Sequence, residues 1–206
     1  MVTPMSRSVE TQPGSLGRRD AVATLLRSRK SKTLVVTGLG SASYDVHSVG
    51  DRHDNYYLWG AMGAAALLGL GLAQARPDKH VLAITGDGEQ LMGLGGLATI
   101  AVANPRNLDI VVIDNHHFGE TGMQTSHTGL GIDIAKVAIA CGFASTRTLR
   151  TIEEVQDAAL TLDVPCDGPR LLVIKVTADS PPRSLPPRDA VLIKNRFRAH
   201  LGLRNC

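Results

Sequence analysis

Asp87 and Asn115 are two residues whose types and placement could together hold a cation. Each stands just past an apolar run: His80-Val-Leu-Ala-Ile-Thr85 leads through Gly86 to Asp87, and Asp109-Ile-Val-Val-Ile-Asp114 leads to Asn115. Mg2+ takes few oxygen ligands from protein and the rest from phosphate and water. One carboxylate, one amide oxygen and one loop carbonyl suit a Mg2+ ion carrying a diphosphate. Gly86 and Gly88 let the backbone approach such an anion, and a helix opening near Glu89 aims its free N–H groups at it. Alone, Gly-Asp-Gly after a strand reads as a turn, and Asp-Asn as an Asx turn. Both together, in consecutive strand–helix units, point to a diphosphate site.

The elements that must position these residues follow from the pattern of apolar runs and breakers. Asp20 to Leu26 starts an amphipathic helix, and Thr33-Leu-Val-Val-Thr-Gly38 reads as a buried strand ended by Gly38 and Gly40. A loop rich in Ser, Asp and His is expected from there to about Asn55. A helix is expected over Gly60–Ala75, closed by Arg76-Pro77, then a strand over His80–Thr85. The next helix runs from about Glu89 to Ala103, stopped by Asn104-Pro105, and the strand Asp109–Asp114 follows. A Gly-rich loop from His116 to Gly131 leads to a helix Asp133–Cys141 with Asp133 as N-cap. Thr151-Ile-Glu-Glu is a capping-box start for a helix to about Leu162, and Leu171–Val176 is a late strand. Apolar strands alternating with helices predict an α/β fold with a mostly parallel sheet covered on both faces. Ligands of such sheets sit beyond the carboxyl ends of the strands, which gathers Gly38–Ser43, Gly86–Glu89 and Asn115–Gly122 at one rim.

Composition sets the outer bounds. The 206 residues suffice for one α/β domain rather than two. The expected division is a flexible tail over 1–17, the domain over 18–180, and a basic tail with a short helix over 181–206. Aromatics at 3% and a net charge of +3, with basic residues concentrated at the two ends, give no footing for nucleic acid. Cys141, Cys166 and Cys206 share no short metal spacing and read as reduced thiols of a cytoplasmic protein. The most apolar stretch, Gly60–Ala75, is interrupted by Gly and Ala and reads as a buried helix, so no membrane span is expected. Arg7, Arg18, Arg19, Arg27, Arg29 and Lys30 resemble a transit peptide in charge. Glu10, Asp20 and the lack of an apolar segment favour a tail followed by a helix.

Gly86-Asp87-Gly88, 26 intervening residues and then Asn115 resemble the signature of thiamine-diphosphate-dependent enzymes. More narrowly, the chain resembles the β subunit of sulfopyruvate decarboxylase and the matching half of phosphonopyruvate decarboxylase, from about Arg19 to Val176. Tyr57-Leu-Trp-Gly-Ala-Met-Gly63, Gly86 through Thr99, Asp114-Asn115 and Gly119-Glu-Thr-Gly-Met-Gln124 carry the likeness. It implies a three-layer α/β/α thiamine-diphosphate-binding fold. It also implies Mg2+ held by the side chains of Asp87 and Asn115 and the carbonyl of His117. Gly88, Glu89 and Phe118 would offer N–H groups to the diphosphate, with Gly86 and Gly119 beside them and Gly40 and Ser41 as further candidates. Gly60 would accept from the cofactor's 4′-amino group, and Met62 would wedge between the two rings to keep the cofactor bent. Ordinary helix core is the other reading of Met62.

Departures from the family pattern bear on the substrate. Glu89 stands where a small residue is usual; a carboxylate there would repel a diphosphate unless it faced solvent or capped its own helix. Glu120 would lie near the reacting carbon. His116 or His127 could donate a proton or hold a substrate carboxylate, and a solvated loop histidine reads equally well. Arg183, Arg188, Lys194, Arg196 and Arg198 read as a charged helix face, with an anionic substrate or a partner as the other reading.

The family's pyrimidine-binding domain, which supplies the glutamate that activates the cofactor, has no counterpart among the strand–helix units here. The resemblance therefore implies a pyrimidine-binding α-type partner in a hetero-oligomer, at least α2β2, acting on a small 2-oxo acid. The implied reaction is decarboxylation to an aldehyde. A carboligase like acetohydroxyacid synthase and a non-catalytic cofactor-binding or regulatory subunit are the alternatives at this point. Iron–sulfur oxidoreductase subunits need clustered cysteines that this sequence lacks.

Overall fold

The computed structural model describes residues 16–164 and 166–203. In chain order the elements are α1 (Arg18–Leu26), β1 (Thr33–Thr37), α2 (Ser41–Ser48), β2 (Asn55–Tyr57), α3 (Ala65–Ala75), β3 (His80–Gly86), α4 (Asp87–Met92), α5 (Gly96–Ala103) and β4 (Leu108–Asp114). They continue with β5 (His117–Phe118), β6 (Gln124–Thr125), α6 (Ile134–Cys141), β7 (Ser145–Leu149), α7 (Ile152–Thr161), β8 (Arg170–Lys175) and α8 (Ala190–His200). The expected flexible tail over 1–17 falls almost wholly outside the described residues, as does Cys206.

Six strands form one parallel sheet in the order β2-β1-β3-β4-β8-β7, while β5 and β6 make a separate antiparallel hairpin. Successive strand residues point to opposite faces, so the sheet feeds two cores. Val35, Leu82, Ile84, Val111, Leu172 and Ile174 pack against α1, α2, α7 and Ile193 of α8. Val36, Val81, Ala83, Ile110, Val112 and Val173 pack against α3, α5 and α6. The result is the three-layer α/β/α architecture that the alternating pattern predicts. At the amino end of the sheet, Asp109 of β4 takes a two-point contact from Arg170 of β8, at 2.6 and 2.7 Å, and lies 2.7 Å from Nε2 of His80 on β3. This buried cluster fixes three adjacent strands at the end away from the site.

The caps read from sequence are present. Asp133 accepts the Lys136 N–H at 3.1 Å, and Thr151 with Glu154 forms a reciprocal capping box.

Several elements differ from expectation, among them β2 and the β5–β6 hairpin, for which no strand was expected. The Ser/Asp/His-rich segment after Gly40 contains α2, because Ala42 and Val46 bury against the sheet and override weak helix propensity. The helix expected from Gly60 begins only at Ala65: Gly60 (φ 77°) and Gly63 (φ 90°) are left-handed, which an α-helix cannot include. The helix expected over Glu89–Ala103 breaks at Gly93–Gly95, where Gly93 packs so close to Gly63 that a Cβ would lie 2.0 Å from its carbonyl oxygen. Finally, β7 (Ser-Thr-Arg-Thr-Leu) was not anticipated. It is a sheet-edge strand, mostly half-buried and polar, without the apolar run that marks the central strands.

Candidate active site

The rim predicted at the carboxyl ends of β1, β3 and β4 exists as one cavity. Asp87 opens α4 directly after β3, with Gly86 in extended conformation as the N-cap. Its side chain is buried, 3% exposed. Oδ2 receives the Ser126 hydroxyl at 2.5 Å and lies 3.0 Å from Thr128 Oγ1. Thr128 Oγ1 is also 2.8 Å from Oδ1 of Asp114, the last residue of β4. Asp114 in turn accepts the Lys175 ammonium at 2.5 Å and the His116 N–H at 3.0 Å. Burial, and then the charge of Asp114, push the Asp87 carboxyl up to about 6, against the pull of its bonds from Ser126, Thr128 and Gly88. A group held this way gains from a cation.

Asn115 follows β4 and closes an Asx turn: its Oδ1 accepts the His117 N–H at 2.9 Å. His116, between them, is left-handed (φ 65°). The β5–β6 hairpin then folds Phe118 over α4, so that a Cβ on Gly88 would lie 2.6 Å from the Phe118 ring. Only glycine fits there. One amide, one buried carboxylate and a glycine-floored helix start therefore converge, a donor set that fits Mg2+ with a diphosphate. Among the described residues no group of three or more His, Cys, Asp or Glu side chains could hold a metal. A transition-metal centre of that kind is absent from them.

The cavity has a volume of about 190 Å³ and is lined by Ser41, Met62, Gly86, Asp87, Gly88, Glu89, Asn115, His117, Phe118, Gly119 and Glu120, together with Arg18 and Met92. Pockets that enclose a drug-sized ligand run to roughly 300–1,000 Å³, so this one accommodates an end of an elongated ligand. Gly40 sits at its edge in left-handed conformation, where a Cβ would lie 2.7 Å from Glu120 Cγ. Gly60 does not line it, but forms the left-handed turn (φ 77°) before Met62. Met62 is 37% exposed and precedes α3, so helix core is not its environment.

Glu89 does not face solvent. It is 3% exposed and accepts the Thr85 hydroxyl at 2.7 Å and the Gly63 N–H at 3.3 Å. Burial raises its carboxyl, opposed by Thr85 and by the N–H groups of Gly63, Leu39 and Gly86. The Gly86 contact is one half of a cap on its own helix. Gly38 leaves the space, since any Cβ there would overlap the carboxylate.

Glu120 accepts the Ser41 hydroxyl at 3.2 Å and lies 3.3 Å from Arg183. His116 is buried and does not line the cavity, and burial lowers its imidazole. His127 packs edge-on against Phe118 with centroids 6.1 Å apart. Of the basic C-terminal residues, Arg196 binds Asp51, Arg188 lies over Trp59, and Arg183 reaches the site's edge. Sequence reasoning missed Ser126, Thr128, Asp114, Lys175 and Arg18. For the first two the only available signal was a pair of hydroxyls in the Gly-rich loop, with nothing to say that the loop folds back under Asp87.

Residues 38–174 match the family described as thiamine pyrophosphate enzyme, C-terminal TPP binding domain. The chain belongs to this family. It is 40% identical over 139 residues to the sulfopyruvate decarboxylase subunit beta of Methanocaldococcus jannaschii, an alignment covering 68% of this chain and 73% of that protein. It is 34% identical over 160 residues to the phosphonopyruvate decarboxylase of Streptomyces viridochromogenes, covering 78% of this chain and 40% of the relative. Among solved structures, benzoylformate decarboxylase from Polynucleobacter necessarius superposes with a TM-score of 0.66 at 20% identity, over 87% of this chain and 36% of that one. That likeness concerns the fold. Thiamine pyrophosphate is thus the cofactor class of the domain, and named decarboxylases are its homologues. Several relatives carry the name subunit beta, which implies a partner subunit in those proteins. No helix among the described residues is long and apolar enough to cross a membrane.

Proposed function

We propose that this chain is the diphosphate- and Mg2+-binding β-type subunit of a thiamine-diphosphate-dependent 2-oxo acid decarboxylase, sulfopyruvate- or phosphonopyruvate-decarboxylase-like, active with a separate pyrimidine-binding α-type subunit. The observation that carries the reading is Asp87, buried at the start of α4 beside Asn115, with Gly88 bare beneath Phe118. Asp87 and Asn115 would hold Mg2+ through their side-chain oxygens and His117 through its carbonyl. Ser126 and Thr128 fix the Asp87 carboxylate from behind. The N–H groups of Gly88, Glu89, Phe118 and Gly119 line the diphosphate's seat, with Gly40 and Ser41 on the opposite wall. Gly60, outside the cavity lining, would present a carbonyl to the aminopyrimidine, and Met62 would prop the ring end of the cavity. Bound thiamine diphosphate supplies the carbon nucleophile and the electron sink for CO2 loss. Glu120, tied to Ser41 and Arg183, borders the substrate space. His116 has no proton-donor role in this scheme, since its ring stays out of the cavity and neither ring nitrogen is hydrogen-bonded to a described residue.

The cavity holds one end of a long cofactor, which supports a second chain over the other end in a hetero-oligomer of at least α2β2. Free Cys141 and Cys166 suit the reducing cytoplasm. The test is co-purification with the α-type partner and measurement of CO2 release from sulfopyruvate and phosphonopyruvate. Turnover only with both chains, abolished by Asp87→Asn, is expected; cofactor binding without turnover of any 2-oxo acid overturns the proposal.

A further inference from the structure

Arg18, the first residue of α1, is 5% exposed and donates no hydrogen bond to any described residue. Its charge is balanced: Nη1 lies 3.4 Å from the buried Asp45 carboxylate, which Arg19 also approaches at 3.4 Å, and Nε lies 3.9 Å from Asp179. Yet Nε is sealed from solvent without a partner. A guanidinium carries five N–H donors in a planar fork, and leaving buried donors unmade costs free energy. The side chain borders the cofactor cavity and also an adjoining recess, and Ser41, Asn115, Gly119 and Glu120 line both. Arg183 lines the recess as well, 3.3 Å from Glu120. The guanidinium thus borders the space where the N-terminus of α2 already favours an anion.

We propose that Arg18 is an oxyanion-binding residue of this site. Its guanidinium takes a tetrahedral phosphorus or sulfur oxyanion through a charge-assisted bond on its cavity side. Two sources share that chemistry: the distal phosphate of the cofactor and a phosphonate or sulfonate end of the substrate. The inference rests on the site assignment above and adds a residue to it.

Calorimetry on the full chain separates the sources. One arm titrates inorganic pyrophosphate with Mg2+; the other titrates phosphonoacetate after pyrophosphate saturation. Arg18→Gln is expected to weaken one of the two by roughly tenfold or more, about 1.4 kcal/mol, and Arg18→Lys to recover part of the loss. Loss in the first arm assigns the fork to the cofactor, and loss in the second alone assigns it to the substrate. If Arg18→Gln binds both probes like the native chain, or the native chain binds neither, the inference is overturned. Should Arg18→Gln melt early, Arg18→Gln with Asp45→Asn removes the stranded carboxylate and carries the same comparison. Asp87→Asn is the control on the underlying reading. Its loss of pyrophosphate binding beside an unaffected Arg18→Gln sinks only Arg18, whereas unchanged binding in Asp87→Asn sinks the site itself.

Discussion

The backbone N–H of Gly63 donates to the carboxylate of Glu89 across 3.3 Å, tying the turn that carries Met62 to the helix that carries Asp87. The same carboxylate accepts from Thr85 at the tip of β3 and fills the space that Gly38 leaves at the tip of β1. Two strand ends and the Met62 turn thus close on one buried acid. Glu89→Gln keeps an acceptor for Gly63 and is expected to melt within a few degrees of the native chain. Glu89→Ala leaves the Gly63 N–H and the Thr85 hydroxyl unpaired, and its expected cost is about 2 kcal/mol, within the range for hydrogen bonds to charged groups. Gly38→Ala should be at least as damaging, because its methyl displaces the carboxylate. Thermal melts of the three variants check this; equal stability of the Glu89 variants would mean that the contacts contribute nothing.

Thr128 holds a position between two buried carboxylates, 3.0 Å from Asp87 and 2.8 Å from Asp114. Its hydroxyl has one proton to give, so Ser126 must serve Asp87 when Thr128 serves Asp114. Thr128→Val keeps the shape and removes the proton. A destabilisation of about 1.5–3 kcal/mol is expected from a charged acceptor losing a bond, with a several-fold loss of Mg2+–pyrophosphate affinity because Asp87 is no longer held in place. Ser126→Ala should act in the same direction, and the double variant by less than the sum, since the two hydroxyls share a target. Chemical denaturation and calorimetry measure both quantities; strict additivity would argue against a shared network.

The central strands were legible because β-branched runs between Gly, Pro and Asn breakers have few alternatives, and the parallel order follows from their alternation with helices. Asp87 and Asn115 were legible for the same reason, since each directly follows such a strand. What supports them was not. Ser126 and Thr128 reach Asp87 across 39 and 41 positions of sequence through a hairpin of two-residue strands, and no local periodicity encodes that return. Glu89 was legible only in part: a cap on its own helix was one of its two readings, but its enclosure by Gly38, Gly63 and Thr85 was not foreseen. Arg18 looked like one more charge in a basic amino-terminal stretch; its burial depends on Asp45 and Asp179, far along the chain.

Arg196 of α8 grips Asp51 with two bonds, at 2.6 and 2.9 Å, and Tyr57 adds a third at 3.0 Å. Burial alone would raise the Asp51 carboxyl, but the bonds from Arg196 and Tyr57 outweigh it and hold the group below the usual carboxylate range. A depressed carboxyl contributes stability that is present above its unfolded value and is lost as pH falls through its lower folded value. The hold on α8 should accordingly persist at neutral pH and weaken below about pH 4, the ordinary carboxylate range. Asp51→Asn is expected to loosen α8 at pH 7 and to approach the native chain only as pH falls through the lowered folded value. Hydrogen exchange across Ala190–His200 reads this, and a variant equally protected at pH 7 would show that Phe197 packing on Tyr56, rather than the ion pair, secures the helix.

Met62 projects into the cavity from a turn whose ends, Gly60 and Gly63, are both left-handed, and the turn leaves it 37% exposed. A side chain this exposed contributes little to the core, so Met62→Ala should leave the melting temperature unchanged. If its task is to prop the bound cofactor in a bent form, the loss falls on reactivity. We expect kcat of the two-subunit enzyme to drop by roughly tenfold or more, about 1.4 kcal/mol, while affinity for Mg2+–thiamine diphosphate stays within about threefold, since the diphosphate contacts are untouched. The rate of hydrogen–deuterium exchange at the thiazolium carbon of the bound cofactor should fall with kcat, because both need the bent geometry. A fall in affinity as large as the fall in rate would instead mark Met62 as an ordinary contact, with the bend imposed by the partner chain.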